Sequence, residues 1–304
     1  MSKTLHTSSG RAAWLVILGL LALPAAAAGT LEKVKDSGKL MLGYRTDTRP
    51  FSYSDGGKPA GFSVALCTKI ADAVKAELKL PALQVEFVPV TAATRFQALQ
   101  QGQIDLLCGT ATPTLERRAL VDFSIPIFAS GTGALVRADV DRRVRDALAG
   151  REEALQPVWR GAPGALGAKV VFAAVGGTTI ETSLINGLKA RRIEATVTPV
   201  ADYAAGVQMV MERRADALFG DRPVLLDAAA RGPDAGALLV IERSFTREPL
   251  ALAMRRGDAD FRLLVDRSLS RLFRSKDIGP LFTSHFGAMD GGTLDFFKSA
   301  ALPD

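Results

Sequence analysis

Histidine is almost absent from this chain: there are two in 304 residues, and one of them, His6, lies close to the N-terminus. With two histidines and two cysteines, the usual ligand sets for zinc or another transition metal do not assemble, so no metal and no cofactor are expected. Catalytic signatures are missing as well. There is no G-x-S-x-G, no Walker loop and no H-E-x-x-H, and His285 stands near the end of the chain without an obvious partner. Tyrosine and tryptophan are scarce, at three and two. The basic pairs (Arg117-Arg118, Arg142-Arg143, Arg191-Arg192, Arg213-Arg214, Arg255-Arg256) are interspersed with acidic residues and never merge into a block. A nucleic-acid surface needs concentrated positive charge and stacking rings, so no nucleic-acid partner is expected.

What is present is the balance of a globular protein, 48% hydrophobic and 23% charged, with a length that fits about two domains. Residues 1–28 read as a secretory leader. Lys3 and Arg11 precede or open an apolar run over 12–23 that is too short to span a bilayer, and Ala26-Ala27-Ala28 fits the small-residue cleavage pattern. No cysteine stands at the end of that run, so the mature protein is expected to be exported, free and periplasmic. Loss of Lys3 and Arg11 lowers the formal charge from +6 to +4. The exported compartment permits a bridge between Cys67 and Cys108, 41 positions apart; two separate buried thiols are the alternative.

Strand and helix patterns alternate over 40–120. The spacing predicts strands at 40–44, 83–90 and 104–108, the last ended by Gly109, a hairpin turn at Gly56-Gly57, and helices over 63–78 and 94–101. Thr112-Pro113 reads as a helix start, a hydroxyl at N-cap and a proline at N1, with Arg117 one turn in. Extended chain follows over 127–136, then a charged surface helix and loop over 139–166. From residue 168 the alternation resumes, with strands at 169–175, 195–200, 215–220 and 238–242 separated by helices. The end is a strand at 250–254, a helix capped by Asp258 with an apolar stripe from Phe261 to Phe273, and an apolar segment over 278–286. Composition breaks near 131–139 and 242–249. Two α/β units with helices on both faces of their sheets are the fold class this order implies.

Open α/β sheets bind ligands beyond the carboxyl ends of their strands. Arg45 follows the first strand; Thr110, Thr112 and Arg117 follow the third. Gly176-Gly177-Thr178-Thr179 joins a strand to a helix in the second unit, and Asp221 ends another strand. A guanidinium and free amides suit a carboxylate, and an aspartate suits an ammonium. An α-amino acid presents both groups. Arg45 and Arg95 on the same side would suit a second carboxylate.

On the segments 43–53 (GYRTDTRPFSY), 61–66 (GFSVAL), 85–95 (VEFVPVTAATR), 105–118 (DLLCGTATPTLERR), 121–128 (VDFSIPIF), 176–179 (GGTT) and 220–226 (GDRPVLL), the chain resembles the periplasmic substrate-binding proteins of amino-acid ABC transporters, specifically the glutamate/aspartate-binding branch. The resemblance implies the two-lobed type II periplasmic-binding-protein fold, with a ligand cleft between lobes joined by two crossover strands. Lobe 1 would take 29–136 and 245–304, and lobe 2 would take 137–244. It also implies roles. Arg117, Thr112, Thr178 and Thr179 would hold the α-carboxylate, Asp221 and Thr110 the ammonium, and Arg45 and Arg95 a side-chain carboxylate. Ala92 stands where that branch usually has a serine, and Tyr203 where it has a histidine, so the side-chain pocket departs from the pattern.

The expected function is therefore a non-catalytic, monomeric receptor that delivers a polar, acidic amino acid to the membrane subunits of an ABC permease. The alternative is a periplasmic enzyme on the same scaffold, similar to cyclohexadienyl dehydratases, with Glu181 as the general acid.

Overall fold

The structure is a computed structural model and describes residues 29–151, 170–232 and 236–303. The leader expected over 1–28, and residues 152–166 of the surface helix and loop expected over 139–166, lie outside the described residues.

The first unit opens with α1 (Thr30–Ser37), β1 (Lys39–Arg45), the small antiparallel strands β2 (Asp47–Thr48), β3 (Ser52–Asp55) and β4 (Lys58–Ala60), and α2 (Phe62–Leu78). The β3–β4 turn is made by Gly56 and Gly57, both at positive φ (55° and 83°), which glycine adopts without a Cβ clash. β5 (Gln84–Val90), α3 (Arg95–Gln100), β6 (Leu106–Ala111), the four-residue α4 (Leu115–Arg118) and β7 (Val121–Ser130) follow. The second unit contains β8 (Thr132–Arg137), α5 (Arg142–Ala149), β9 (Val170–Val175), α6 (Thr179–Arg191), β10 (Ala195–Val200), α7 (Tyr203–Met211), β11 (Ala217–Asp221), α8 (Arg222–Ala230) and β12 (Leu238–Val240). The chain then returns to the first unit through β13 (Glu248–Arg255), α9 (Ala259–Arg274), α10 (Ile278–Phe286) and α11 (Gly291–Ala300).

Each unit is built on a five-stranded sheet, in the orders β5-β1-β6-β13-β7 and β10-β9-β11-β8-β12. β1, β5 and β6 are parallel, as are β9, β10 and β11, while β13 and β8 run antiparallel to their neighbours. Parallel strands need covered faces. In the first unit, Phe51, Phe62, Phe128, Phe282, Phe286 and Phe297 supply one cover, with ring centroids as close as 4.8 Å for Phe282–Phe286 and 4.9 Å for Phe51–Phe128. A fully buried phenylalanine stabilises by about 2–3 kcal/mol, so this cluster, drawn from the two ends of the unit, holds α10 and α11 to its start.

Four expectations change. β6 runs through Gly109 to Ala111; the side chain of Arg45 passes over this glycine, where a Cβ would lie 3.2 Å from Arg45 Cγ. The helix expected from Thr112-Pro113 starts two residues later and is short: Thr114 is the N-cap and accepts from Arg117 N–H at 3.1 Å. α1 and α11 are helices that periodicity did not mark. Finally, β8 belongs to the second sheet, so the boundary expected after residue 136 moves back to Gly131. That glycine lets the two crossovers lie side by side, because a Cβ there would meet Thr246 O at 2.5 Å.

Cys67 in α2 and Cys108 in β6 form a disulfide, with Cα atoms 5.9 Å apart and both residues fully buried. It pins α2 to a central strand of the first sheet. Closing a loop of 41 residues restricts the unfolded chain. Replacing both cysteines by alanine should lower stability in urea denaturation by about 4 kcal/mol on chain-entropy grounds, and a reductant should lower the midpoint of the unsubstituted protein alone.

Candidate functional site

The strand ends converge. β1, β6, β9 and β11 finish on one cleft between the two units, and all nine candidate residues line a single cavity there. Thr48, Ile180 and Leu250 complete its wall; Ala92 is buried but is not part of it. The units meet across this cleft. Arg95 Nη2 donates to Gly177 O at 3.2 Å, and Arg49 pairs with Asp227 at 3.3 Å. Space for the centre of a water-sized sphere amounts to only about 20 Å³. An amino acid therefore enters only when the units move apart.

Charge of both signs is buried here. Arg95 is 2% exposed, and its Nε and Nη1 have no hydrogen-bond partner. Burial lowers its pKa to about 9, and the neighbouring cations Arg117 and Arg45 push in the same direction. Phe96 supports the pair of guanidiniums, its ring centroid lying 4.5 Å from Arg95 Cζ and 5.2 Å from Arg117 Cζ. Arg117 donates from Nη1 to Thr112 O at 3.0 Å; burial lowers its pKa while the Glu248 carboxylate opposes that shift. Arg45 is already neutralised. Its Nε and Nη2 fork onto Asp47 at 2.8 and 2.6 Å, so of the two arginines expected to face a second carboxylate, Arg95 is the one without a carboxylate partner and with two fully buried donors left unbonded.

Asp221 forms the opposite pole. Ser130 Oγ donates to it at 3.1 Å and Tyr203 Oη at 3.4 Å, while Asp221 N–H donates to Tyr203 Oη at 3.1 Å. Burial raises its pKa to about 6, aided by Glu248 and resisted by the two hydroxyls and Arg45. Burial and Asp221 hold the Tyr203 hydroxyl well above its ordinary range. The Tyr203 ring reaches this place because Gly220 has no side chain to block it.

The threonines are committed otherwise than expected. Thr178 donates to Val175 O at 2.7 Å and accepts from Glu181 N–H as the N-cap of α6. Glu181 in the first turn reaches back and accepts from Gly177 N–H, one residue before the cap, at 2.8 Å. Thr112 and Thr179 donate to Glu248 Oε2 at 2.7 and 3.1 Å. Only Thr110 makes no side-chain hydrogen bond among the described residues. Asp47, Ser130 and Glu248 were not singled out from the sequence. Asp47 had a local signal, since Arg45 and Asp47 alternate at the end of an extended run; the other two had none.

A two-lobed α/β scaffold with an ionic cleft between its units is the architecture of the periplasmic solute-binding proteins. Residues 40–288 match the model of the bacterial extracellular solute-binding proteins, family 3, and the chain belongs to that family. It is 32% identical to the L-glutamate/L-aspartate-binding protein of Pseudomonas aeruginosa, over 89% of this chain and 85% of that one. It is 28% identical to the glutamate/aspartate import solute-binding protein of Salmonella typhimurium, over 86% and 80%. Among solved structures, it is similar to an ancestral amino acid-binding protein, a precursor of cyclohexadienyl dehydratase (29% identity, TM-score 0.67, 85% of this chain and all of that one). No helix among the described residues is long and apolar enough to cross a membrane.

The raised Asp221 pKa fixes a sign. The folded, empty protein binds this proton more tightly than the unfolded chain, so its contribution is fully present below pH 3.8 and is lost as pH rises through about 6. Asp221→Asn should therefore raise the thermal midpoint of the empty protein at pH 8, by on the order of 2 kcal/mol of stability, and leave it little changed at pH 4.

Proposed function

We propose that the protein is an extracytoplasmic receptor for a polar, acidic L-amino acid, glutamate or aspartate, which it delivers to the membrane subunits of an ABC permease. The two units act as lobes that close about the crossovers at Gly131 and 241–247, and the leader over 1–28 directs export. The observation that carries the reading is the pair of unpartnered donors on Arg95, a buried cation facing the same cavity as the half-buried Asp221. An ammonium bound by Asp221, with Thr110 and Tyr203 beside it, and an α-carboxylate on Arg117 leave Arg95 for a side-chain carboxylate. The planar fork of an arginine fits that group with two hydrogen bonds.

The relatives support the same reading. The Pseudomonas aeruginosa and Salmonella typhimurium proteins are named for glutamate and aspartate, while a relative of Bacillus subtilis, 27% identical, is named as a glutamine-binding protein. Acid against amide is thus the choice that matters, and a site with an unpaired guanidinium favours the acid. Against the dehydratase alternative speaks the place of Glu181, which accepts from Gly177 N–H at the start of α6 and is not among the residues that line the cavity.

Calorimetry with glutamate, aspartate, glutamine and arginine tests this. The acids should bind and arginine should not. Arg95→Met should collapse the preference for glutamate over glutamine, whereas Arg117→Ala should weaken binding of both by about 2–5 kcal/mol by removing the partner of the α-carboxylate. Glutamate bound no better than glutamine by the unsubstituted protein would overturn the acidic assignment. Affinity for glutamate should fall as pH drops below about 6, because protonated Asp221 no longer attracts the ammonium, and Asp221→Asn should abolish that dependence together with tight binding.

A further inference from the structure

Arg45 lines the cleft cavity, and its side chain is held at three points. At the root, Arg45 N–H donates to Ser52 Oγ at 2.9 Å, and Ser52 Oγ donates back to Arg45 O at 3.0 Å. Ser52 is fully buried. Along its stem the arginine crosses Gly109, where a Cβ would lie 3.2 Å from Arg45 Cγ. At the head, Nε and Nη2 fork onto the two oxygens of Asp47 at 2.8 and 2.6 Å. The two side chains are 4% and 14% exposed, so little water competes for the pair. Arg45, Asp47, Ser52 and Gly109 all belong to the first unit, and the pair requires nothing from the second.

Asp47 itself is not part of the cavity wall, yet its charge reaches residues that are. Burial lowers the Arg95 pKa, Arg117 and Arg45 add to the shift, and Asp47 opposes it. At Tyr203, burial and Asp221 raise the pKa; Arg45 lowers it, and Asp47 again acts against Arg45. Two opposite charges at hydrogen-bond distance act on a third group as a dipole, with most of the field of the lone cation cancelled.

We propose that Asp47 is a positioning residue that sets the specificity of the cleft by acting through Arg45. It occupies the edge of the guanidinium that a carboxylate would fork onto, and it cancels the charge that an acidic side chain would meet there. What Arg45 still offers the cavity is a polar N–H surface, suited to an acid and an amide alike. Discrimination between glutamate and glutamine then falls to Arg95, and is smaller than two free arginines would give. The inference rests on the receptor reading, because it needs an amino acid in the cleft.

Calorimetry with glutamate and glutamine on the unsubstituted protein, Asp47→Asn, Arg45→Met and the double variant tests it. Asparagine keeps the shape of the aspartate side chain and removes its charge. The ratio of glutamate to glutamine affinity should rise about tenfold in Asp47→Asn, the effect of one uncancelled charge in a partly buried site. Added to Arg45→Met, Asp47→Asn should raise the ratio again, because it removes a carboxylate left without its cation. A carboxylate that merely braced Arg45 against the ligand behaves differently: its loss lowers the ratio, and changes nothing once Arg45 is gone. A lowered or unchanged ratio in Asp47→Asn therefore overturns the inference. If an unpaired Arg45 keeps Asp47→Asn from folding, Arg45→Met against the double variant, which buries no lone cation there, decides in its place. An unsubstituted protein that prefers glutamine overturns the acidic assignment and leaves the role of Asp47 to the variants. One that binds neither amino acid overturns the receptor reading and this inference with it.

Discussion

The constraint on which the site depends is the direction of the strands. Parallel strands carry all their carboxyl ends to one edge, and here two such edges face each other. β1 delivers Arg45 and β6 delivers Thr110 and Thr112, while β9 leads into Thr178 and Thr179 and β11 ends on Asp221. None of these residues is near its partners in sequence across the cleft. The chain keeps the edges opposed by crossing between the units twice, at Gly131 and over 241–247, and the crossovers touch through Thr132 and Thr246. At the rim, Arg49–Asp227 and the bond from Arg95 to Gly177 O fix how far the edges approach.

Given that geometry, the electrostatics are those of an unfinished set of pairs. Arg95 is displaced toward its neutral form by burial and neighbouring cations, and Asp221 is displaced toward its neutral form by burial. Opposite shifts toward neutrality on two residues that line one cavity mark it as a candidate ligand site. The ligand we propose, a zwitterion with an extra carboxylate, would offset both at once and, by binding the folded protein alone, would stabilise it. Arg45 stands outside this logic because Asp47 completes it internally.

Much of this was legible in the sequence because it is local. Strands at β1, β5, β9 and β10 and the helices α2 and α9 announce themselves by periodicity, and the cavity residues by their place after strands. Two helices escaped. α11 begins on two glycines, which weaken any helical signal, and α1 is a single short amphipathic stretch. Thr112-Pro113 misled for a different reason: it has the chemistry of a helix start, but the hydroxyl is taken by Glu248, 136 positions away, and Thr114 caps in its place. Glu248 itself has no local signature. A lone glutamate at the head of a strand acquires its meaning only from Thr112 and Thr179, which tertiary folding brings to it.

The proton inventory of Thr112, Thr178, Thr179 and Thr246 narrows how the cleft can recognise anything. Thr178 donates to its own strand, and Thr112, Thr179 and Thr246 to Glu248, so none of the four offers a proton to the cavity as it stands. Recognition of anions then falls to guanidiniums. Arg117 is tied on one side to Thr112 O and Arg95 on one side to Gly177 O, which orients both planes before a ligand arrives. A pre-oriented planar fork rewards a carboxylate with two parallel bonds and offers an amide one, since the amide nitrogen has only donors to present. The preference for an acid over its amide that we propose would therefore be built from the supports of the arginines, and chiefly from whatever keeps Arg95 buried, stacked on Phe96 and short of partners.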